Sequence, residues 1–371
     1  MSPNRFIPFF DYPRLYTDKR DEFLKIFDDV CSQGAFIMQK DLESFETSLA
    51  SFTSSNHAIG VANATDGLEL AWMAINLRPG DEVICCSHTM LATASAIRVA
   101  GGTPIPVELG PDNLIDPDAV LDAINPRTVG IMPTQLNGRT CNMDKIMDIA
   151  DRYKLYVVED AAQALGSKFK KKSAGTFGDA SAISFFPAKV LGCFGDAGGV
   201  LTQDPNLYDR LYQLHDHGRD PRGEVKSWGR NSRLDNLQAA FLNHLLPTYP
   251  NVIARRREIA SLYDSRLAEL DELGLPPAPN SSEDHFDVYQ NYELTASNRD
   301  DLKLFLSQKG IGTLIQWGGK GIHQWERLGF NKKLPLTEEF FNKSIMLPMN
   351  MFITDDDVNY ICDCVFQFYR A

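Results

Sequence analysis

Between His57 and Ala161 the sequence alternates, without a break, between short apolar runs and segments with helical spacing. HAIGVA gives way to TDGLELAWMAINL, in which Leu68, Ala71, Trp72 and Ile75 share one helical face. DEVICC follows a Pro79-Gly80 turn. After it come the helical TMLATASAIRVAGG, the strand-like TPIPVEL, DPDAVLDAI with its Asp-Pro helix start, TVGIMPTQL, MDKIMDIADRYK and LYVVEDA. Strands separated by helices in this way run parallel, with the helices covering both faces of the sheet. An α/β domain with a mostly parallel sheet is therefore expected.

The rhythm then changes. AISFF and GGVLT are joined by residues 187–197, which carry no helical pattern. A parallel crossover needs an element of its own, so the last strand is expected to run antiparallel, completing a seven-stranded sheet. Past Asp204 the chain reads as helical in PNLYDRLYQLHDHG, RLDNLQAAFLNHLL and ARRREIASLYDSRLAELDEL. Strand-like YQNYELTA and a closing helix DDDVNYICDCVFQFY then fit a smaller α+β domain. The expected division is a large domain with an N-terminal arm over residues 1–245 and a small domain over 246–371.

At 371 residues the chain exceeds what one core usually holds, which favours two domains. Its 37 basic against 49 acidic residues leave a formal charge of −12, which argues against nucleic acid or an anionic membrane surface as partner. MSPNRFIPFFDYPRLY lacks the layout of a signal peptide, and no apolar stretch is long enough to span a bilayer. The seven cysteines, including Cys85-Cys86 and Cys362-x-Cys364, have no zinc-ligand spacing. Reduced, mostly buried thiols in a cytoplasmic protein without a metal are expected.

The chemistry-bearing segment is SFFPAKVLGCFGDAGGV, residues 184–200. Its glycines match neither G-x-x-x-x-G-K-[ST] nor G-x-G-x-x-G, which weakens a nucleotide-loop reading of Lys189. Two readings stay open: a solvated surface lysine, or a partly buried amine made nucleophilic by a lowered pKa. A Schiff-base lysine needs a carboxylate to hold a ring nitrogen protonated. Asp160 at the end of VVEDAAQA can serve, or can simply cap the segment after it. Gln163 lies three residues on. NATDG, between the first strand and first helix, offers Thr65 and backbone amides to a phosphate, or is an ordinary capped turn; Ser184 could add a hydroxyl. KFKKKSAG reads as a solvated hairpin before a diphosphate clamp, RRRE at 255–258 as a solvated face, and His215 and His217 lack a metal partner.

Together these segments resemble the DegT/DnrJ/EryC1/StrS family of sugar aminotransferases, fold type I enzymes dependent on pyridoxal 5′-phosphate (PLP). The resemblance runs from about residue 6 to the C-terminus. It is carried by NATDGLELA, PGDEVICCSHTMLATASAI, GGTPIPVEL, the long segment from VVEDAAQA to GGVLT, HG at 217–218 and GRNSRLDNLQAAFL. It implies that Lys189 is the Schiff-base lysine and proton shuttle, that Asp160 pairs with the pyridine nitrogen, and that Gln163 lies over the ring near its 3-hydroxyl. Backbone at Ala64 and Thr65, with the Thr65 and Ser184 hydroxyls, would hold the phosphate. Asn231 would come from the partner subunit, implying a homodimer with shared active sites.

Three positions depart from the family pattern. Met90 stands where an aromatic ring usually stacks on the cofactor. Gln135 replaces a usual histidine. QWGGKGIHQW at 316–325 replaces a His-Tyr-Pro segment near the substrate mouth, leaving Trp317, Lys320 and His323 as candidate substrate contacts. The implied activity is transfer of an amino group from an amino acid, usually glutamate, to a nucleotide-linked keto sugar in amino-sugar and surface-polysaccharide biosynthesis. Lysine rather than histidine at 189 favours transamination over dehydration. The alternatives are the same chemistry on a keto-cyclitol or small keto-phosphate, and a PLP-binding regulator without turnover.

Overall fold

The computed structural model describes residues 5–370. Three helices, α1 (Tyr12–Thr17), α2 (Arg20–Ser32) and α3 (Lys40–Thr53), precede the alternating region. That region then runs in the expected order: β1 (His57–Val61), α4 (Ala64–Ala74), β2 (Glu82–Cys86), α5 (Leu91–Val99), β3 (Thr103–Val107), α6 (Pro117–Ala123), β4 (Thr128–Met132), α7 (Met143–Tyr153) and β5 (Tyr156–Asp160). A short hairpin, β6 (Lys168–Phe169) and β7 (Lys172–Ser173), leads into β8 (Ala180–Ser184) and β9 (Gly198–Thr202).

Seven of these strands form one sheet in the order β1-β9-β8-β5-β4-β2-β3. The pairs from β8 to β3 are parallel, whereas β9 is antiparallel to both β8 and β1. The direction of β9 follows from the linker, which has no helix to carry the chain back along the sheet. Helix α4 is the most enclosed helix of this layer. Trp72 is fully buried, and its indole donates to Met132 Sδ at 3.3 Å. Gly130 in β4 permits this: a Cβ there would lie 2.5 Å from the Trp72 ring.

Helices α8 (Pro205–His215), α9 (Asn236–Leu245) and α10 (Tyr249–Leu267) come next. Strands β10 (Leu273–Gly274), β12 (Tyr292–Ala296) and β13 (Ser344–Leu347) make an antiparallel three-stranded sheet, while β11 (His285–Phe286) joins the β6–β7 hairpin. Helices α11 (Arg299–Gln308), α12 (Pro335–Lys343) and α13 (Asp355–Arg370) complete the chain. A second core gathers Ile259, Tyr263, Tyr292, Leu302, Ile345 and Val358. The N-terminal half of α10 instead packs Tyr249 and Ile253 into the core beneath the large sheet.

Two sequence readings are corrected. The helix expected to run to Leu273 ends at Leu267, because Leu270 turns inward and Leu273 pairs with Ala296 as β10. The expected solvated face at RRRE fails for Arg256. It is buried and donates to the carbonyls of Tyr289, Gln290 and Met349, at 2.7, 2.7 and 2.6 Å respectively.

Candidate active site

The carboxyl ends of the parallel strands lie along one edge of the sheet, where α/β folds bind ligands. Ser184 ends β8, Val61 ends β1, and both pair in register with Gly198 of β9. This register brings the Ser184 hydroxyl and the turn into α4 to the two flanks of one glycine. Asn63 caps α4 by accepting the Asp66 amide at 2.8 Å. The amides of Ala64 and Thr65 belong to the helix's first turn and have no intrahelical acceptor. A Cβ on Gly198 would sit 2.7 Å from Ala64 N and 2.5 Å from Asn63 C, so only glycine lets β9 pass this close.

Lys189 sits on the loop that leaves β8. Its amide donates to the Phe186 carbonyl at 2.8 Å, and Cys193 N donates to Phe185 O at 2.9 Å, folding the loop back on itself. Gln290 reaches the loop from the far end of the chain. Its Nε2 donates to Ala188 O at 2.9 Å and its Oε1 accepts from Val190 N at 3.0 Å. Burial lowers the Lys189 amine to about 8, against the opposing pull of the Asp160 charge. A substantial fraction is thus neutral near physiological pH, as a nucleophile or base requires.

Asp160, the last residue of β5, is buried. Its Oδ2 accepts the Thr93 hydroxyl at 2.6 Å and its Oδ1 the Ala162 amide at 3.2 Å. Thr89 links Thr93 to Thr134 through hydroxyl contacts of 2.7 and 2.9 Å. Burial pushes the Asp160 carboxyl above the usual carboxylate range, while Thr93, the Ala162 amide and Lys189 pull it back. A cationic ring nitrogen opposite this carboxylate would complete its pairing.

Gln163 is oriented by two donors. Its Oε1 accepts Asn137 N at 3.0 Å and Asn291 Nδ2 at 3.4 Å, which leaves its NH2 group free to donate elsewhere. Asn137 Nδ2 in turn donates to Glu293 Oε2 at 2.6 Å. Gln135 is turned away from this group: it donates to Glu159 Oε2 at 2.7 Å and accepts from Cys141 N at 2.6 Å.

The remaining candidates are dispersed. Met90 is the residue before α5 and is 53% exposed. Asn231 is exposed at the end of the 217–230 loop, which also carries Trp228, 96% exposed. Trp317 is half-buried, with its ring 5.7 Å from that of His88. Lys320 is exposed and lies over the Trp325 ring. His323 is buried, with Nδ1 2.6 Å from Ser87 Oγ and Nε2 3.3 Å from Glu338. Thr93, Asn137, Gln290 and Glu293 escaped the sequence reading, since nothing local marks a residue whose partner lies far along the chain.

The donor set suits a flat, cationic ring bearing a phosphate. Asp160 offers a buried carboxylate, Lys189 a desolvated amine, Gln163 a free amide donor, and the α4 turn with Ser184 an anion cradle. A cavity of about 210 Å³ adjoins the lysine loop, walled by Phe10, Tyr12, Tyr249, Met349 and Phe352.

Comparison with known proteins agrees. The sequence matches the DegT/DnrJ/EryC1/StrS aminotransferase family over residues 17–366. It is 38% identical over 313 residues to a dTDP-3-amino-3,4,6-trideoxy-alpha-D-glucose transaminase of Streptomyces venezuelae, a match covering 84% of this chain and 82% of that enzyme. Among solved structures, S. venezuelae DesV in complex with a ketimine intermediate superimposes with a TM-score of 0.94 at 35% identity, covering 99% of both chains. Bacillus subtilis NtdA with bound cofactor PMP gives a TM-score of 0.91 at 28% identity, covering 100% of this chain and 86% of that one.

Proposed function

This chain belongs to the DegT/DnrJ/EryC1/StrS aminotransferase family, and from that premise we propose that it moves an amino group from L-glutamate to a nucleotide-linked keto sugar. It is a PLP-dependent aminotransferase of the fold type I class. The single observation that carries the assignment of roles is the placing, at one sheet edge, of a half-buried lysine whose desolvated amine is lowered to about 8 and whose charge acts on the buried Asp160.

When bound, PLP supplies an electron sink for charge developing at the carbon that carries the amine. Lys189 Nζ would be the base that takes a proton from the donor Cα and delivers it to C4′ of the cofactor in the same half-reaction, the acceptor half running the two transfers in reverse. Gln290 keeps that amine at a fixed height by holding the backbone before and after it. Asp160 would pair with the ring nitrogen and keep it protonated, with Thr93 fixing one carboxylate oxygen. Gln163 would donate from its free NH2 toward the ring's hydroxyl. The first-turn amides of α4, with Thr65 and Ser184, would hold the phosphate, and Met90 would pack beside the ring. Trp317 and Lys320, on the 316–325 loop, face the acceptor. His323 supports that loop from beneath.

Asn231 and the exposed Trp228 loop complete a second copy's site, making a homodimer with two shared centres. No helix among the described residues is long and apolar enough to cross a membrane. A cytoplasmic enzyme of amino-sugar and surface-polysaccharide biosynthesis accords with this reading.

The test is direct. Purified protein with PLP and L-glutamate is given a dTDP-linked 3-keto hexose, a UDP-linked one, and a keto-hexose phosphate, in parallel. The expected result is 2-oxoglutarate with an amino sugar in a nucleotide-linked arm, identified by mass spectrometry. Turnover only of the phosphate would replace the nucleotide-linked acceptor, and no reaction with glutamate would remove the donor.

A further inference from the structure

We propose that Glu293 is a positioning residue that sets where the acceptor-side loop stands, by tying its first residue, Gln316, to the cofactor-side turn at Asn137; the inference rests on the reading of this chain as a keto-sugar aminotransferase. Glu293 is the second residue of β12, the central strand of the small sheet, and is buried between apolar Tyr292 and Leu294. A buried carboxylate is costly unless every contact compensates it, and an apolar residue would serve a sheet core better. Its position therefore calls for a use outside packing.

The contacts define that use. Glu293 Oε2 accepts Asn137 Nδ2 at 2.6 Å and Gln316 Nε2 at 2.9 Å, and lies 3.3 Å from His88 Nε2. His88 Nδ1 is 2.8 Å from the Asn113 carbonyl, which can only accept, so Nδ1 carries a proton. His88 Nε2 and Glu293 Oε1 have no hydrogen-bond partner, so the imidazole meets the carboxylate by close approach alone. Gln316 Nε2 also donates to Asn137 Oδ1 at 2.7 Å, closing a triangle of three side chains.

The loop needs this anchor. Directly after Gln316 come three left-handed residues, Trp317 (φ 47°), Gly318 (φ 71°) and Gly319 (φ 74°). A tryptophan in this conformation persists only where its surroundings over-determine it. The far end of the loop is fixed to the residue beside His88, with Ile322 N donating to Ser87 O at 3.1 Å and His323 against the Ser87 hydroxyl. Both ends are thus referred to residues 87–88. Only the stretch between them, with Gly318 and Lys320 exposed, faces outward. Through Asn137, whose backbone amide holds Gln163, the same carboxylate relates the acceptor loop to the cofactor side.

Glu293→Ala and Glu293→Gln test this. Gln keeps an acceptor oxygen for the two amides but presents no carboxylate to His88. In Glu293→Ala apoprotein, hydrogen–deuterium exchange across residues 316–323 should quicken by about tenfold or more, with β1 to β5 protected as in the parent, which also controls for folding. With PLP, the KM for the keto acceptor should rise at least about tenfold more than that for L-glutamate, Glu293→Gln falling between parent and Ala. Unchanged exchange over the loop overturns the proposal, as does an equal loss in the two half-reactions. Should the parent react with glutamate but with no nucleotide sugar, the acceptor assignment fails, while the exchange measurement still decides the role of Glu293.

Discussion

Gln290 holds the backbone on both sides of Lys189, accepting from Val190 N at 3.0 Å and donating to Ala188 O at 2.9 Å. The two residues are about a hundred positions apart, and a carboxamide, donor at one atom and acceptor at the other, suits a group that must grip the chain at two points. Gln290→Ala should destabilise the protein by about 1–3 kcal/mol, the loss of two partly buried hydrogen bonds. It should also slow single-turnover bleaching by glutamate at least about tenfold, because the amine loses its fixed reach. Gln290→Glu should be worse than Ala, since a carboxylate would face the Ala188 carbonyl. Stopped-flow absorbance and chemical denaturation measure both effects.

Lys189 carries a signed pH dependence. Its folded-state value of about 8 lies below the ordinary 10.5, so the folded protein holds fewer protons than the unfolded chain between those limits. Apoprotein stability is therefore least favoured by this group below about pH 8 and improves as pH climbs toward 10.5. Lys189→Met should melt higher than parent apoprotein at pH 7 and converge with it at high pH. It should also lose the visible band of the bound cofactor. Capture of PLP by the parent apoprotein should quicken roughly tenfold from pH 7 to pH 9 as the amine becomes neutral. A flat capture rate would remove the neutral-amine argument.

Thr93 tunes Asp160. Its hydroxyl stabilises the ionised carboxylate, so Thr93→Val should push the Asp160 carboxyl further up. The acidic limb of kcat/KM for glutamate should then move to higher pH, whereas Thr93→Ser should leave it near the parent position. A pH–rate profile distinguishes this from a simple packing defect, which would lower activity evenly.

Gly198→Ala would drive a methyl into the Asn63–Ala64 peptide. The first turn of α4 must retreat, and with it the amides proposed to hold the phosphate. PLP affinity should fall at least about tenfold, read by fluorescence titration, with free phosphate or pyridoxal alone failing to restore binding.

If Asn231 serves the partner's site, co-expressed Lys189→Ala and Asn231→Ala subunits should regain activity that neither homodimer has. Random assortment gives hybrids with one intact site each, roughly a quarter of parental activity in the mixture. Purification through two different tags would isolate the hybrid. No recovery would place Asn231 in its own subunit's site or outside both.

The sequence was most legible where physics is local. Alternation from residue 57 to 161 marked five strands and four helices in order, because each element's apolar spacing reports its own burial. The reversed direction of β9 was legible from a linker too poor in helical pattern to cross the sheet. Lys189, Asp160 and Ser184 could be singled out because strand ends are where side chains leave the sheet for a cleft. What stayed hidden was non-local. β13 is four buried residues, SIML, with no alternation to mark a strand. Arg256 looked solvent-facing because its three carbonyl partners come from residues 289–349. Gln290, Asn291 and Glu293 read as ordinary polar strand residues, yet they reach the lysine loop, Gln163 and Gln316 respectively.

Helix α10 crosses between two cores, with Tyr249 and Ile253 in one and Ile259, Tyr263 and Leu267 in the other. Arg256 bolts its middle to carbonyls on both of the segments that come after β11 and β13. A chain tied this way is poor material for recombination. Exchanging everything beyond residue 246 for a relative's sequence would tear Tyr249 from the Leu165 carbonyl it donates to and leave a hole under the large sheet. The 316–325 loop, pinned at its ends and open between them, offers a much smaller unit of exchange. On the proposed placement of the acceptor, new preferences could be grafted there while the lysine, its clamp and the proposed phosphate cradle are inherited unchanged.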